Sequence, residues 1–155
     1  MNSETERPTA RPHERIRPAR GTDLEAVASL CAELGYPLEL TELSSRLSAL
    51  AQEPRHALLV ADRPGEGVIG LVHVYTDTWL VMASTAEIGG LVVREGLRGD
   101  GVGAHLLAAA ERWASERGCS RLFVRTNAIR QRAHRFYERQ GYGLLKSQRV
   151  YQRTL

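Results

Sequence analysis

Arg98-Gly99-Asp100-Gly101-Val102-Gly103 is the stretch of this chain whose residue types most directly imply chemistry. It follows an apolar run, Ile88 to Val93, and opens an amphipathic segment, Ala104 to Arg117. That order predicts a strand, a tight glycine loop and a helix N-terminus. The first backbone N–H groups of a helix have no partner inside it, and the helix dipole adds partial positive charge there. Glycines at 99, 101 and 103 remove the Cβ atoms that would keep an anion from those amides. Residues Gly99 to Ala104, with Val102 among them, therefore suit a diphosphate.

Three diphosphate ligands compete for such a loop. A nucleotide P-loop ends in Gly-Lys-Ser/Thr, whereas this one ends Gly103-Ala104-His105 and has no lysine to reach a phosphate. The dinucleotide pattern G-x-G-x-x-G/A is met by Gly99, Gly101 and Ala104. It also needs an acid closing the next strand, and Arg121 to Thr126 runs into Asn127 with none. The third pattern is R/Q-x-x-G-x-G/A, met by Arg98, Gly101 and Gly103. This one resembles the coenzyme A loop of the GCN5-related N-acetyltransferase (GNAT) superfamily.

The resemblance extends along the chain. Ala86-Glu-Ile-Gly-Gly-Leu-Val-Val93 looks like the superfamily's fourth strand. Asn127, then Ala133-His-Arg-Phe-Tyr-Glu138 and Gly141-Tyr142, resemble its N…AxxFYExxGF/Y segment. Ile16 to Ala19 and Thr22 to Glu25 resemble its opening strand and helix. The departure is Asp100, where a basic or neutral polar residue is common. An acid there opposes a diphosphate unless its side chain turns away.

The resemblance implies an acetyl-CoA-dependent N-acetyltransferase acting on a small-molecule amine by direct attack in a ternary complex. No metal is implied. An alkylammonium with pKa near 10.4 is neutral in only about one molecule in a few thousand at pH 7, a handicap of about 4–5 kcal/mol. A base must take its proton, and a donor must neutralise the leaving thiolate. Glu87, eleven residues before Arg98, matches the superfamily's general-base glutamate. Its plain alternative is a strand-end glutamate paired with an arginine. Strand alternation predicts Glu87 on the side of Gly89, Leu91 and Val93. His73 is the reserve base. Tyr137 matches the tyrosine that protonates the thiolate, its alternative being a core tyrosine. Leu91, Val92 and Val93 match the backbone that pairs with pantetheine as a pseudo-strand. Asn127 matches the asparagine bonding the pantetheine arm, and is equally a turn residue. Ala133 would leave room for the coenzyme, and Arg98 would lie over the diphosphate or in solvent.

These residues need a frame. Arg15 to Arg20 reads as a strand, with Thr22 and Glu25 as a capping box for a helix reaching about Leu34. A second helix spans about Thr41 to Ala51. His56 to Asp62 and Val68 to Thr78 read as a hairpin around Pro64-Gly65-Glu66-Gly67. Trp79 to Thr85 reads as a loop, and Ala86 to Arg94 as a strand. A helix from Gly101 to Arg117 would bury Val102, Leu106, Ala110 and Trp113. Arg121 to Thr126 is a strand and Arg130 to Gln140 a helix, with one or two closing strands in Tyr142 to Leu155. The pattern predicts a mixed sheet flanked by helices. The resemblance makes this an α/β (α+β) fold whose mostly antiparallel sheet has six to seven strands and about four helices. Tyr36, His73, Tyr75, Asp77 and Trp79 are candidates for the acceptor pocket.

With 155 residues, 43% hydrophobic and 25% charged, the chain fits one globular domain over 15–155. The first twenty residues hold five arginines and three glutamates with Pro8, Pro12 and Pro18, so 1–14 read as a disordered basic tail. Nothing suggests nucleic acid or a membrane as a partner. The spacing of Cys31 and Cys119 argues for a reducing compartment, with cytoplasm the default. The oligomeric state is open, a homodimer included. Other readings are a protein N-terminal or lysine acetyltransferase, a non-catalytic acyl-CoA sensor and a dinucleotide oxidoreductase.

Overall fold

Five strands form one sheet in chain order, namely β1 (Arg15–Pro18), β2 (His56–Arg63), β3 (Gly67–Trp79), β4 (Met82–Val93) and β5 (Leu122–Val124). They belong to a computed structural model that describes residues 13–155. β1 to β4 run antiparallel, and β5 lies parallel to β4. Antiparallel neighbours need only short turns, but a parallel pair needs a crossover. Helix α3 (Val102–Glu116) supplies it. Helices α1 (Leu24–Glu33) and α2 (Leu40–Ala51) fill the link between β1 and β2. The chain divides into two units, one ending at Val124 and the other spanning Arg125–Leu155, which holds α4 (Gln131–Arg139).

Two glycines tell the sheet's faces apart. A Cβ at Gly70 would stand 2.9 Å from Leu106 and 3.4 Å from Val102, so this face is covered by α3. A Cβ at Gly90 would stand 3.3 Å from Leu34, at the end of α1. Residues directly opposite across a ladder share a face. Gly70 pairs with Val93 and Gly90 with His73, so the α1/α2 layer lies on the other side. There Val27, Leu30 and Leu43 pack with Val60, Leu71 and Val92 in one apolar core.

Away from the site, the structure departs from the sequence reading in four places. Residues 142–155 form no strand, leaving five strands among the described residues instead of six or seven. The apolar residues there come in adjacent pairs, Leu144-Leu145 and Val150-Tyr151, split by polar ones, so no alternation can bury one face. All four are exposed. The expected loop from Trp79 to Thr85 shrinks to Leu80-Val81, because Trp79 pairs with Met82 and extends the hairpin. α1 begins after a 3-10 turn over Gly21–Asp23, where Asp23 and not Thr22 accepts the Arg20 N–H at 2.7 Å. Trp113 is only partly covered, with the Arg117 guanidinium 3.9 Å over its ring. Of the expected basic tail, residues 1–12 lie outside the described residues.

Candidate active site

The glycine loop joins β4 to α3 as the residue order predicted. Gly99 and Gly101 have φ of +92° and +86°, the left-handed region where a side chain costs about 1–2 kcal/mol. A Cβ at either would meet nothing within 4 Å among the described residues. Among the described residues no side chain caps α3, and the return bond beyond the cap runs from His105 N to Gly101 O at 3.1 Å. The amides of Val102, Gly103 and Ala104 precede that bond and are the ones a helix start leaves without an internal partner.

Charged straps hold the loop from both sides. Glu33, ending α1, accepts the Glu95 N–H at 2.8 Å and pairs with Arg98 at 3.5 Å. Arg98 Nε donates to Val93 O at 3.1 Å, so its guanidinium turns back toward the strand end. Asp100 lies 3.9 Å from Arg63, a buried arginine at the end of β2. Arg63 also meets Glu14 at 3.1 Å and Glu66 at 3.4 Å, while Glu14 bonds His105 in the first turn of α3 at 2.5 Å. The acid that seemed misplaced beside a diphosphate is thus turned to a cation. Burial pushes the Glu14 carboxyl up, but hydrogen bonds from His105 and Arg63 outweigh it and hold it below its usual range.

Before the loop, β4 loses its outer neighbour. β5 pairs with it at Ala86, Glu87 and Ile88 only. From Gly89 to Val93 the strand has no ladder on that side among the described residues, and Leu91, Val92 and Val93 lie in this stretch. At the same point β4 bulges. Ile88 pairs with Val74, and Gly90, not Gly89, pairs with His73. The bulge reverses the alternation expected from the sequence. Glu87 shares its face with Gly90 and Val92, under the α1/α2 layer, while Leu91 and Val93 face α3. A Cβ at Gly89 would stand 2.7 Å from His73 Nδ1, so the glycine is what admits that ring.

Glu87 is buried, 7% exposed, and directly opposite Tyr75, which is directly opposite His56 on β2. His73 lies one alternation along β3 on the same face. His56 Nδ1 and His73 Nε2 are 2.9 Å apart; the His56 ring stacks on Tyr75 at 5.3 Å between centroids, and the His73 ring lies tilted to it at 5.7 Å. Burial, then the neighbouring His56, push the His73 imidazole below its usual value. Sequence reading named Glu87, His73 and Tyr75 separately and missed His56. Counting outward from the Pro64–Gly67 turn would have put His56 within one residue of facing Tyr75. Arg63 and Glu14 were missed too, for their meeting depends on the tertiary fold.

The second unit carries the remaining candidates. Tyr137 on α4 is buried, edge-on to Phe136 at 5.1 Å and 5.6 Å from the Tyr142 ring. Burial pushes its phenol up to about 12, which keeps it protonated at neutral pH. Asn127 is exposed, and its Oδ1 accepts the Ile129 N–H at 3.2 Å in a side-chain turn. Its main-chain oxygen accepts from His134 Nε2 at 3.0 Å. Ala133 is half-buried on α4.

Comparison with known proteins agrees with this geometry. The model of the acetyltransferase (GNAT) family matches residues 24–142. The aminoalkylphosphonate N-acetyltransferase of Salmonella typhimurium is 34% identical over 129 residues, which cover 82% of this chain and 83% of that protein. Aminoglycoside N-acetyltransferase AAC(6')-Iy in complex with CoA superposes with a TM-score of 0.85 at 20% identity, covering 96% of this chain and 99% of its own. A transcriptional regulator from Bacillus halodurans C-125 superposes with a TM-score of 0.81 at 26% identity, covering 90% and 99%.

Proposed function

Because this chain belongs to the acetyltransferase (GNAT) family and is an acetyl-CoA-dependent N-acetyltransferase, we propose that its acceptor is a primary amine on a small molecule. We further propose that the amine attacks the thioester directly in a ternary complex. The observation that carries this reading is the position of Glu87. It is a buried carboxylate two residues before the bulge, on the strand that leads straight into the glycine loop. The curated relative, by its name, acetylates an aminoalkylphosphonate, which supports a small acceptor.

In this reading the diphosphate of acetyl-CoA rests on the main-chain amides of Gly99 to Ala104. The unladdered edge at Leu91, Val92 and Val93 pairs with pantetheine and polarises the thioester carbonyl. Glu87 takes a proton from the ammonium, and the freed amine attacks the carbonyl carbon. The C–S bond then breaks, and Tyr137 gives its proton to the departing thiolate. A phenol kept protonated by burial is suited to that part. Asn127 and Ala133 border the pantetheine arm, and Arg98 acts as a strap for the loop.

The test is release of free thiol from acetyl-CoA with a panel of acceptors. The panel contains 2-aminoethylphosphonate, ethanolamine, neamine and a lysine peptide. A small amine should be turned over fastest. Turnover of the peptide alone would favour a protein-modifying enzyme, and binding of acetyl-CoA without turnover of any amine would favour a sensor.

A further inference from the structure

The proposed reaction leaves a proton on a buried carboxylate, and it must be shed before the next turnover. On the same face of the sheet as Glu87 lie two imidazoles in contact with one another, His73 on β3 and, across Tyr75 from Glu87, His56 on β2, and the mechanism uses neither. His73 stands over the β4 bulge, its Nδ1 toward Gly89 and its Nε2 2.9 Å from His56 Nδ1. His56 is half-buried and is the first residue of β2, following the exposed Pro54 and Arg55. The chain of nitrogens therefore starts at the bulge next to Glu87 and ends at the rim of the sheet.

We infer that His73 and His56 form a proton exit from the active site, carrying to water the proton that Glu87 takes from the acceptor ammonium. This rests on Glu87 being the base. The Glu87 carboxyl gives its proton to His73 Nδ1, directly or through one water. The His73 Nε2–H proton passes to His56 Nδ1, and the His56 Nε2–H proton goes to water. Glu87 is again a carboxylate, both rings are neutral, and each regains its first tautomer by exchange with water. The ionisable groups facing His73 are His56 on β2, Tyr75 beside it on β3 and Glu87 on β4. The helix layer sets the apolar Leu34 over Gly90, the residue opposite His73, while Glu33 is committed to Arg98 and the Glu95 N–H. Burial and His56 hold the His73 imidazole below its ordinary 6.5, so its lone pair is open at neutral pH. Two hydrogen-bonded rings packed against Tyr75 also make good packing, so the test must read proton movement.

The experiment measures kcat across pH 6 to 9 for the full chain, His73→Ala and His56→Gln. The acceptor is the fastest of 2-aminoethylphosphonate, ethanolamine and neamine. We expect His73→Ala to lower kcat about tenfold to a hundredfold at pH 7, less at pH 9 where bulk base takes the proton, with KM for acetyl-CoA unchanged. Added imidazole should restore part of the loss, and His56→Gln should show a smaller loss of the same form. Stabilisation by acetyl-CoA reports folding, and His73→Gln, which keeps volume, replaces the alanine variant if that is lost. Wild-type kcat in both histidine variants, or a loss that ignores pH and imidazole, overturns the relay. Inactive Glu87→Gln beside active histidine variants overturns the relay alone, and active Glu87→Gln overturns the base and the relay together.

Discussion

The last turns of β4 join two regions built on different physics. On the C-terminal side, the glycine loop offers main-chain amides, shaped by left-handed glycines and braced by exposed or half-exposed charges on Glu33, Arg98 and Asp100. On the other side, the β2–β3–β4 row offers side chains, His56, His73, Tyr75 and Glu87, packed under a helix layer. The loop is suited to hold an anion through its main-chain amides. The row can move protons and has no cationic side chain to hold a diphosphate. One strand thus keeps binding and chemistry apart, and each should be damageable without the other.

Glu87→Gln is the sharpest way to break that separation. Losing a positioned base should cost kcat about 10²–10⁴-fold while the acetyl-CoA Kd, read by calorimetry, stays within about twofold. A parallel loss of affinity would mean the row also builds the coenzyme site. Tyr137→Phe should lower kcat by about tenfold to a hundredfold, again without change in Kd. An unchanged kcat would remove that phenol from the mechanism. Gly101→Ala should do the reverse. Its φ of +86° strains any side chain by about 1–2 kcal/mol, so acetyl-CoA Kd should rise about fivefold to thirtyfold if the loop relaxes, with kcat retained.

The two regions also differed in how far the sequence revealed them. The loop's shape and place were legible because glycine at 99 and 101 is what a left-handed backbone demands. Glu87 was singled out by its spacing to Arg98, and the sequence placed it on a strand, as the structure has it. Its surroundings were not legible, since alternation assumes an unbroken strand and one extra residue at Gly89 reverses every face beyond it. His56 joins the row only when the register of β2 on β3 is known. The Arg63, Glu14 and Asp100 contacts link residues 37 or more apart in sequence, and no local pattern reports such a meeting. The closing strands failed for the opposite reason, as a family expectation overrode a segment whose own apolar spacing is not that of a strand.

The bracing charges give smaller, testable effects. Glu14 is held below its ordinary 4.5 in the fold, so its contribution is present above that pH and is lost as pH falls below it. Asp23, lowered by the Arg17 guanidinium, behaves alike. Tm should therefore fall on acidification through this range, and Glu14→Gln should flatten the slope. An identical slope in the variant would mean the ion pair near α3 contributes nothing to stability.

Asp100→Asn should have the smallest effect, and its sign is informative. The carboxylate is one-third exposed and 3.9 Å from Arg63, an arrangement worth about 0–1 kcal/mol. Arg63 keeps Glu14 and Glu66 without it, so the fold should hold. Removing a negative charge near the diphosphate should tighten acetyl-CoA binding by less than about fivefold, and the gain should shrink as salt is raised. If binding weakened tenfold instead, Asp100 would be shaping the loop through Arg63, and the charges would belong to the coenzyme site itself and not to its bracing.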